Sequence, residues 1–176
     1  CLNLNVWTEN NSSNNKKPVI VYIHGGGFTS GGSSCEVYDG EEMAKQGIVY
    51  VSINYRVGVL GFLAHPELSA ESKDNISGNY GIMDQIAALN WVKDNIKKFG
   101  GDASNVTIMG QSAGSASVNA LTMSPEAKGL FKNAFSMSYN LVDTKWDTLK
   151  NKEAQGKEAF KGMSLKDMRA MSTEDL

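Results

Sequence analysis

Apolar and polar positions alternate from Leu2 to Thr8 and again, after the polar run Glu9 to Pro18, in the apolar stretch Val19 to His24. Period-two alternation predicts two strands, and the Asn/Ser-rich run between them reads as a solvated hairpin loop rather than a domain boundary. A short helix is expected from about Asp39 to Gln46, ended by Gly47 as a left-handed cap, and the apolar run Ile48 to Asn54 predicts another strand. From Ile82 the period changes. Ile82, Ile86, Leu89, Val92, Ile96 and Phe99 recur at steps of three and four, the spacing of one helix face, and Gly100–Gly101 stop that helix. Asn105 to Met109 reads as a short buried strand and Ser112 to Met123 as a helix rich in small residues. Ser124-Pro125-Glu126 follows cap and N1 preferences for one more short helix, and Asn133 to Met137 reads as a strand. Beyond Ser138, Trp146 to Met171 is lysine-rich and helical in pattern, with Ser164 and Asp167 spaced as a capping box. Strands alternating with helices predict an α/β fold, a mostly parallel sheet flanked by helices.

The 176 residues, 41% hydrophobic and 20% charged, have the make-up of one globular domain, which excludes collagen, coiled coil and bulk disorder. Seventeen basic against nineteen acidic side chains leave a net charge of −2 without a long block of one sign, so no nucleic-acid partner is expected. No apolar run approaches a membrane span, and the first ten residues lack the basic start and apolar stretch of a signal peptide. The chain does not begin with methionine; its true N-terminus is expected to be missing, and a cytoplasmic setting is expected over a secreted one. Asn75-Ile-Ser77 and Asn105-Val-Thr107 fit glycosylation sequons without implying secretion. Two cysteines, Cys1 and Cys35, allow one bridge but no disulfide framework and match no zinc spacing, so neither a metal nor a cofactor is expected.

The chemistry concentrates in two glycine-rich junctions. Val106 to Met109 runs into Gly110-Gln-Ser112-Ala-Gly114 and then a helix. In a strand–G-x-S-x-G–helix unit the chain turns so sharply that small residues are needed two before and two after the serine, whose hydroxyl is projected above the sheet at a helix N-terminus. A Gly/Ser turn without chemistry is the bland alternative. The second junction is Tyr22-Ile-His24-Gly25-Gly26-Gly27-Phe28, a glycine triplet directly after a strand. Such glycines let backbone N–H groups approach a tetrahedral oxyanion, although a flexible turn or a phosphate-binding nest uses the same composition. No G-x-x-x-x-G-K-[ST] and no Rossmann spacing accompanies it.

With both junctions in this order, the chain resembles the type-B carboxylesterases, the cholinesterase-like branch of the α/β-hydrolase superfamily. The similar segments are Cys1-Leu-Asn-Leu-Asn-Val6, His24-Gly-Gly-Gly-Phe28, Asn54-Tyr-Arg-Val-Gly-Val-Leu-Gly-Phe-Leu63, Gly78-Asn-Tyr-Gly-Ile-Met-Asp-Gln85, Ala88-Leu-Asn-Trp-Val92, Asn95-Ile-Lys-Lys-Phe-Gly-Gly-Asp102 and Gly110-Gln-Ser-Ala-Gly114, spanning Cys1 to about Ser138. The resemblance implies an α/β-hydrolase fold, incomplete in this chain, and a small-molecule ester substrate. It implies that Ser112 attacks the ester carbonyl and that the N–H groups of Gly26, Gly27 and Ala113 hold the oxyanion, with Gly25, Gly110, Gly114 and Ser138 in support. Tyr139 stands where the family usually has glycine, and Gln111 where it more often has glutamate. Asp84 is expected to hydrogen-bond structurally rather than act as an acid, and Arg56 to tie loops together through buried ion pairs.

A serine hydrolase of this superfamily also needs an acid and then a histidine after the serine. The chain has only His24 and His65, both before Ser112, with His65 expected in a surface loop ahead of Pro66. The acid and base are therefore expected past Leu176, in the remainder of a longer parent chain. Residues 1–138 would be the N-terminal part of its catalytic domain and 139–176 a helical segment at the start of an insert or cap, with residues absent near Tyr139–Asp143. The isolated chain would be inactive and would leave an open sheet edge beside Asn133–Met137. A non-catalytic cholinesterase-like protein-binding module is the rival reading; the intact serine and glycines favour the enzyme.

Overall fold

Val19, Val21 and Ile23, with Val49, Val51 and Ile53, are fully buried, as parallel strands covered on both faces require. They belong to β2 (Lys17–Ile23) and β3 (Val49–Ile53) of a five-stranded sheet completed by β1 (Leu4–Trp7), β4 (Gly101–Gln111) and β5 (Asn133–Met137). In the computed structural model, residues 2–9, 12, 14–139 and 147–175 are described. The strand order is β1-β3-β2-β4-β5; β3, β2, β4 and β5 run parallel and β1 lies antiparallel on β3. Seven α-helices accompany the sheet among the described residues: α1 (Glu41–Lys45), α2 (Gly58–Phe62), α3 (Pro66–Glu71), α4 (Tyr80–Asn95), α5 (Ala113–Met123), α6 (Leu149–Ala159) and α7 (Leu165–Ala170). Leu89 and Val92 of α4, Ile96 just beyond its end, and Val118 and Leu121 of α5 close the core against Val106 and Ile108 of β4. This is the α/β-hydrolase fold in incomplete form, a mostly parallel sheet flanked by helices.

Several local expectations hold. Gly47 is left-handed at φ 80°, the helical path that begins with α4 stops at Gly100, itself left-handed at φ 81°, and β5 has the expected bounds. Others are corrected. The first two strands do not form a hairpin: β1 crosses to β3, with Leu4 opposite Ile53 and Trp7 opposite Tyr50. β2 is already flanked by β3 and β4, so β1 cannot pair with it and lies at the outer side of β3, where the Trp7 and Tyr50 rings meet edge-on at 5.7 Å. β4 is longer than Asn105–Met109 because Gly101 already pairs with Lys17. The register then jumps to Val106 opposite Val19, and the Asp102 carboxylate accepts from both the N–H and the hydroxyl of Ser104.

α2 and α3 have no counterpart in the periodicity, being too short to display one. His65 is not in a surface loop: it is 4% exposed and caps α3, its Nδ1 accepting the Glu67 N–H at 3.2 Å. The helical tail divides in two. Trp146, the expected helix start, and Asn140–Asp143 lie outside the described residues, as does Cys1, whereas Cys35 is exposed. The capping box forms at Ser164, with reciprocal bonds to Asp167 of 3.2 and 3.1 Å. α7 is docked on α3: the Leu165 N–H donates to Glu67 Oε2 at 3.2 Å, and Arg169 forks onto Glu71 at 2.9 and 2.6 Å. At the opposite side of the sheet β5 is almost wholly exposed, Phe135 included, so the expected open edge is present. No described helix is long and apolar enough to cross a membrane.

Candidate active site

Because β2 and β4 are parallel neighbours with Ile23 opposite Gly110, both glycine junctions emerge side by side at the carboxyl ends of their strands. Ligands bind in this position on open parallel sheets. Ser112 stands between β4 and α5 with φ 57° and ψ −121°, a conformation that costs a non-glycine residue of order 1–3 kcal/mol and persists only where the surroundings impose it.

Three glycines impose it. A Cβ on Gly110 would lie 2.4 Å from the Gly114 carbonyl oxygen, and one on Gly114 only 2.0 Å from that of Ile23. One on Gly25 would lie 2.8 Å from the Gln111 carbonyl oxygen and 3.3 Å from the Ser112 Cβ. Strand end, elbow and glycine loop are thus in backbone contact, closer than any side chain permits. The Ser112 N–H donates to the Met137 carbonyl at 3.0 Å, tying the elbow to β5, while the Ser112 hydroxyl makes no capping bond to α5 and no other hydrogen bond among the described residues.

The N–H groups of Gly26, Gly27 and Ala113 donate to no acceptor among the described residues, whereas the carbonyl preceding each is held. Since a peptide is a rigid plane with C=O and N–H opposed, each held carbonyl aims the next N–H. The Gly25 carbonyl accepts from His24 Nδ1 at 2.7 Å. That of Gly26 accepts the N–H groups of Thr29 and Ser30 at 3.1 Å each, and that of Ser112 accepts the Ala116 N–H at 3.0 Å. Gly26 and Gly27 are exposed, with φ of 109° and 63°. An apolar-walled cavity of about 460 Å³ opens between Phe28 of the loop and Ala116 and Ala120 of α5, with Ile82 and Leu149 also lining it.

Ser138, the remaining expected supporting residue, ends β5 exposed and left-handed at φ 61°. It is Ser136 that bonds toward α5, meeting the Ser115 hydroxyl at 2.6 Å and the Asn119 amide at 3.0 Å. Asp84 is committed to structure as expected: its carboxylate takes Arg56 Nε and Nη2 at 2.8 Å each and the Arg56 N–H at 3.0 Å. Asp84 is buried while the guanidinium is partly exposed, lying 5.5 Å from the Tyr80 ring centroid. Gln85, fully buried, donates to the Ser117 hydroxyl at 3.0 Å and so ties α4 to α5 beneath the elbow. Its position beside Asp84, interrupting the apolar face of α4, was the available signal.

Neither histidine is free to serve as a base. His65 is spent on the α3 cap. His24, 1% exposed, stacks on Tyr55 with ring centroids 4.4 Å apart; burial holds its pKa below the ordinary imidazole value. Tyr55, whose hydroxyl donates to the His24 carbonyl at 2.8 Å, is a part of the loop's support that the sequence did not reveal.

The sequence profile of the carboxylesterase family matches residues 1–171. The chain belongs to the carboxylesterase family. Over 158 residues, 90% of the chain, it is 44% identical to a fumonisin B1 esterase of Sphingopyxis macrogoltabida, and over 156 residues, 88% of the chain, 44% identical to an acetylcholinesterase of Danio rerio. It spans 29% and 24% of the length of these relatives. A PNB esterase structure superposes with a TM-score of 0.85 at 36% identity, over 99% of this chain and 37% of that one. The carboxylesterase likeness thus extends past the motifs into α6 and α7.

Proposed function

We propose that the whole protein hydrolyses small-molecule carboxylic esters through an acyl-enzyme on Ser112. The Ser112 Oγ attacks the ester carbonyl carbon and passes its proton to a histidine base. The carbonyl oxygen becomes an oxyanion held by the N–H groups of Gly26, Gly27 and Ala113. Collapse of the tetrahedral intermediate expels the alcohol, which takes the proton, and water then hydrolyses the acyl-enzyme to release the acid. The observation that carries this reading is the Ser112 hydroxyl, free among the described residues, in a strained elbow in backbone contact with a loop whose N–H donors have no partner among those residues. The esterases among the relatives support the same chemistry.

The base and its acid come from outside residues 1–176, because His24 and His65 are engaged elsewhere. Residues 1–138 supply the nucleophile and oxyanion donors of one catalytic domain. Residues 139–176 begin an insert or cap on it, as the docking of α7 on α3 supports. Burst release of a chromogenic alcohol from a short-chain aryl ester tests the proposal. The full-length enzyme should burst and be labelled on Ser112 by a fluorophosphonate; Ser112→Ala should lose several orders of magnitude in rate. Residues 1–176 alone should turn over no ester. Undiminished turnover by Ser112→Ala would overturn the assignment, and an unlabelled Ser112 would favour a binding module.

A further inference from the structure

We propose that His24 is a positioning residue for this reaction: its imidazole, in the neutral Nδ1–H form, aims the Gly26 N–H at the oxyanion by holding the Gly25 carbonyl. The inference rests on the Ser112 reading and adds to it the element that orients one donor. The three donors are aimed by different means. Ala113 is set by the first turn of α5, through the Ala116 N–H on the Ser112 carbonyl, and Gly27 by the turn in which Thr29 and Ser30 N–H groups bind the Gly26 carbonyl. The first device is made of backbone; the second is a backbone turn to which the Thr29 and Ser30 hydroxyls add bonds to the same Gly26 carbonyl at 3.2 and 3.5 Å. Among the described residues the Gly26 N–H is the one donor aimed by a side chain without backbone help, through the 2.7 Å contact between His24 Nδ1 and the Gly25 oxygen. A carbonyl can only accept, so Nδ1 carries the proton, and in the neutral ring that burial favours Nε2 is the unprotonated nitrogen.

The surroundings hold that ring still. One face stacks on Tyr55, and the Tyr55 hydroxyl fixes the His24 carbonyl. The backbone of Gly31 lies against the same hydrogen bond: a Cβ there would come within 2.7 Å of both Nδ1 and the Gly25 oxygen. His24 Nε2 is buried without a partner among the described residues. An apolar ring would fill this space without burying an unpaired nitrogen, so packing alone does not account for histidine here; the bond from Nδ1 does. Gly26, lacking a Cβ and at φ 109°, has little preference of its own to keep its N–H aimed once that bond is gone.

The test compares full-length wild type, His24→Leu and His24→Asn with a chromogenic aryl ester and with a trifluoromethyl ketone, which forms a tetrahedral adduct at the serine. Asn Nδ2 stands at the same bond separation from Cβ as His Nδ1 and can donate to Gly25; both variants lose the ring stack and should lose similar thermal stability. His24→Leu should lower kcat roughly 10- to 100-fold, less than deletion of a donor, with KM within about twofold, and should weaken the ketone in parallel. His24→Asn should recover most of that loss. Equal activity of the two variants, or a rise in KM in place of the fall in kcat, overturns the proposal. Should His24→Leu not fold, ¹⁵N-histidine spectra of the wild-type enzyme decide: protonated Nδ1 with bare Nε2 is expected, and the opposite tautomer overturns the proposal. A wild-type enzyme with the expected tautomer but no burst instead overturns the Ser112 reading on which the positioning role depends.

Discussion

Replacing Gly114 by alanine should force α5 off the sheet and disable the elbow. The added Cβ would sit 2.0 Å from the Ile23 carbonyl oxygen and 3.0 Å from that of His24. Ordinary contact begins near 3.4 Å, so relief requires a retreat of more than about 1 Å. No flexible side chain can yield, because the obstacle is the backbone of a strand paired on both sides. Overpacking usually costs about 1–3 kcal/mol, and an immovable obstacle places this variant near or above about 3 kcal/mol. The same displacement carries Ser112 away from the glycine loop, and a misplacement of about 1 Å costs on the order of 100-fold in rate. Gly129→Ala is the matched control. Gly129 has φ 78° and nothing within 4 Å of a Cβ, so it should lose only the left-handed preference of glycine, roughly 1–2 kcal/mol, with its burst intact. Urea unfolding and burst amplitude of both variants in the full-length enzyme provide the comparison. A Gly114→Ala enzyme with a full burst and a midpoint no lower than that of Gly129→Ala would refute the steric argument.

Two further outcomes follow from groups around the site. Arg56→Met should destabilise by about 3 kcal/mol, the low end for removing one partner of a buried pair because the guanidinium is partly solvated, and Asp84→Asn in the same chain should restore part of it; urea midpoints measure both. Burial lowers the His24 pKa, so its neutral form stabilises the fold fully above the unfolded value of about 6.5. As pH falls through that value the unfolded chain takes the proton first, and stability declines until the lower folded pKa is passed. Thermal midpoints between pH 8 and 5 should show this decline in the wild type and lack that component in His24→Asn.

Much of the framework was legible in the sequence because it is set over a few residues. The bounds of β5, the left-handed Gly47, the helix stop at Gly100, the capping box at Ser164 and the strand–Ser112–helix junction each follow from spacing or steric demands within a turn or two. The serine and its glycines were legible for the same reason: an elbow this sharp excludes side chains at Gly110 and Gly114 whatever surrounds it. Tertiary structure decided the rest. Alternation in Leu2–Thr8 marks a strand but carries no address, and β1, kept from β2 by the parallel neighbours on both its sides, lies on β3. His65 beside Pro66 has the local signature of a loop, yet burial and the α3 cap claim it. His24 reads locally as the last residue before a glycine run; Tyr55, thirty-one positions away, and Gly31 around the turn make its ring a fixed donor. Spacing along the chain records what neighbours forbid one another. Which distant groups share a space closed to water, and must therefore satisfy each other's hydrogen bonds, is decided only when strands and helices pack.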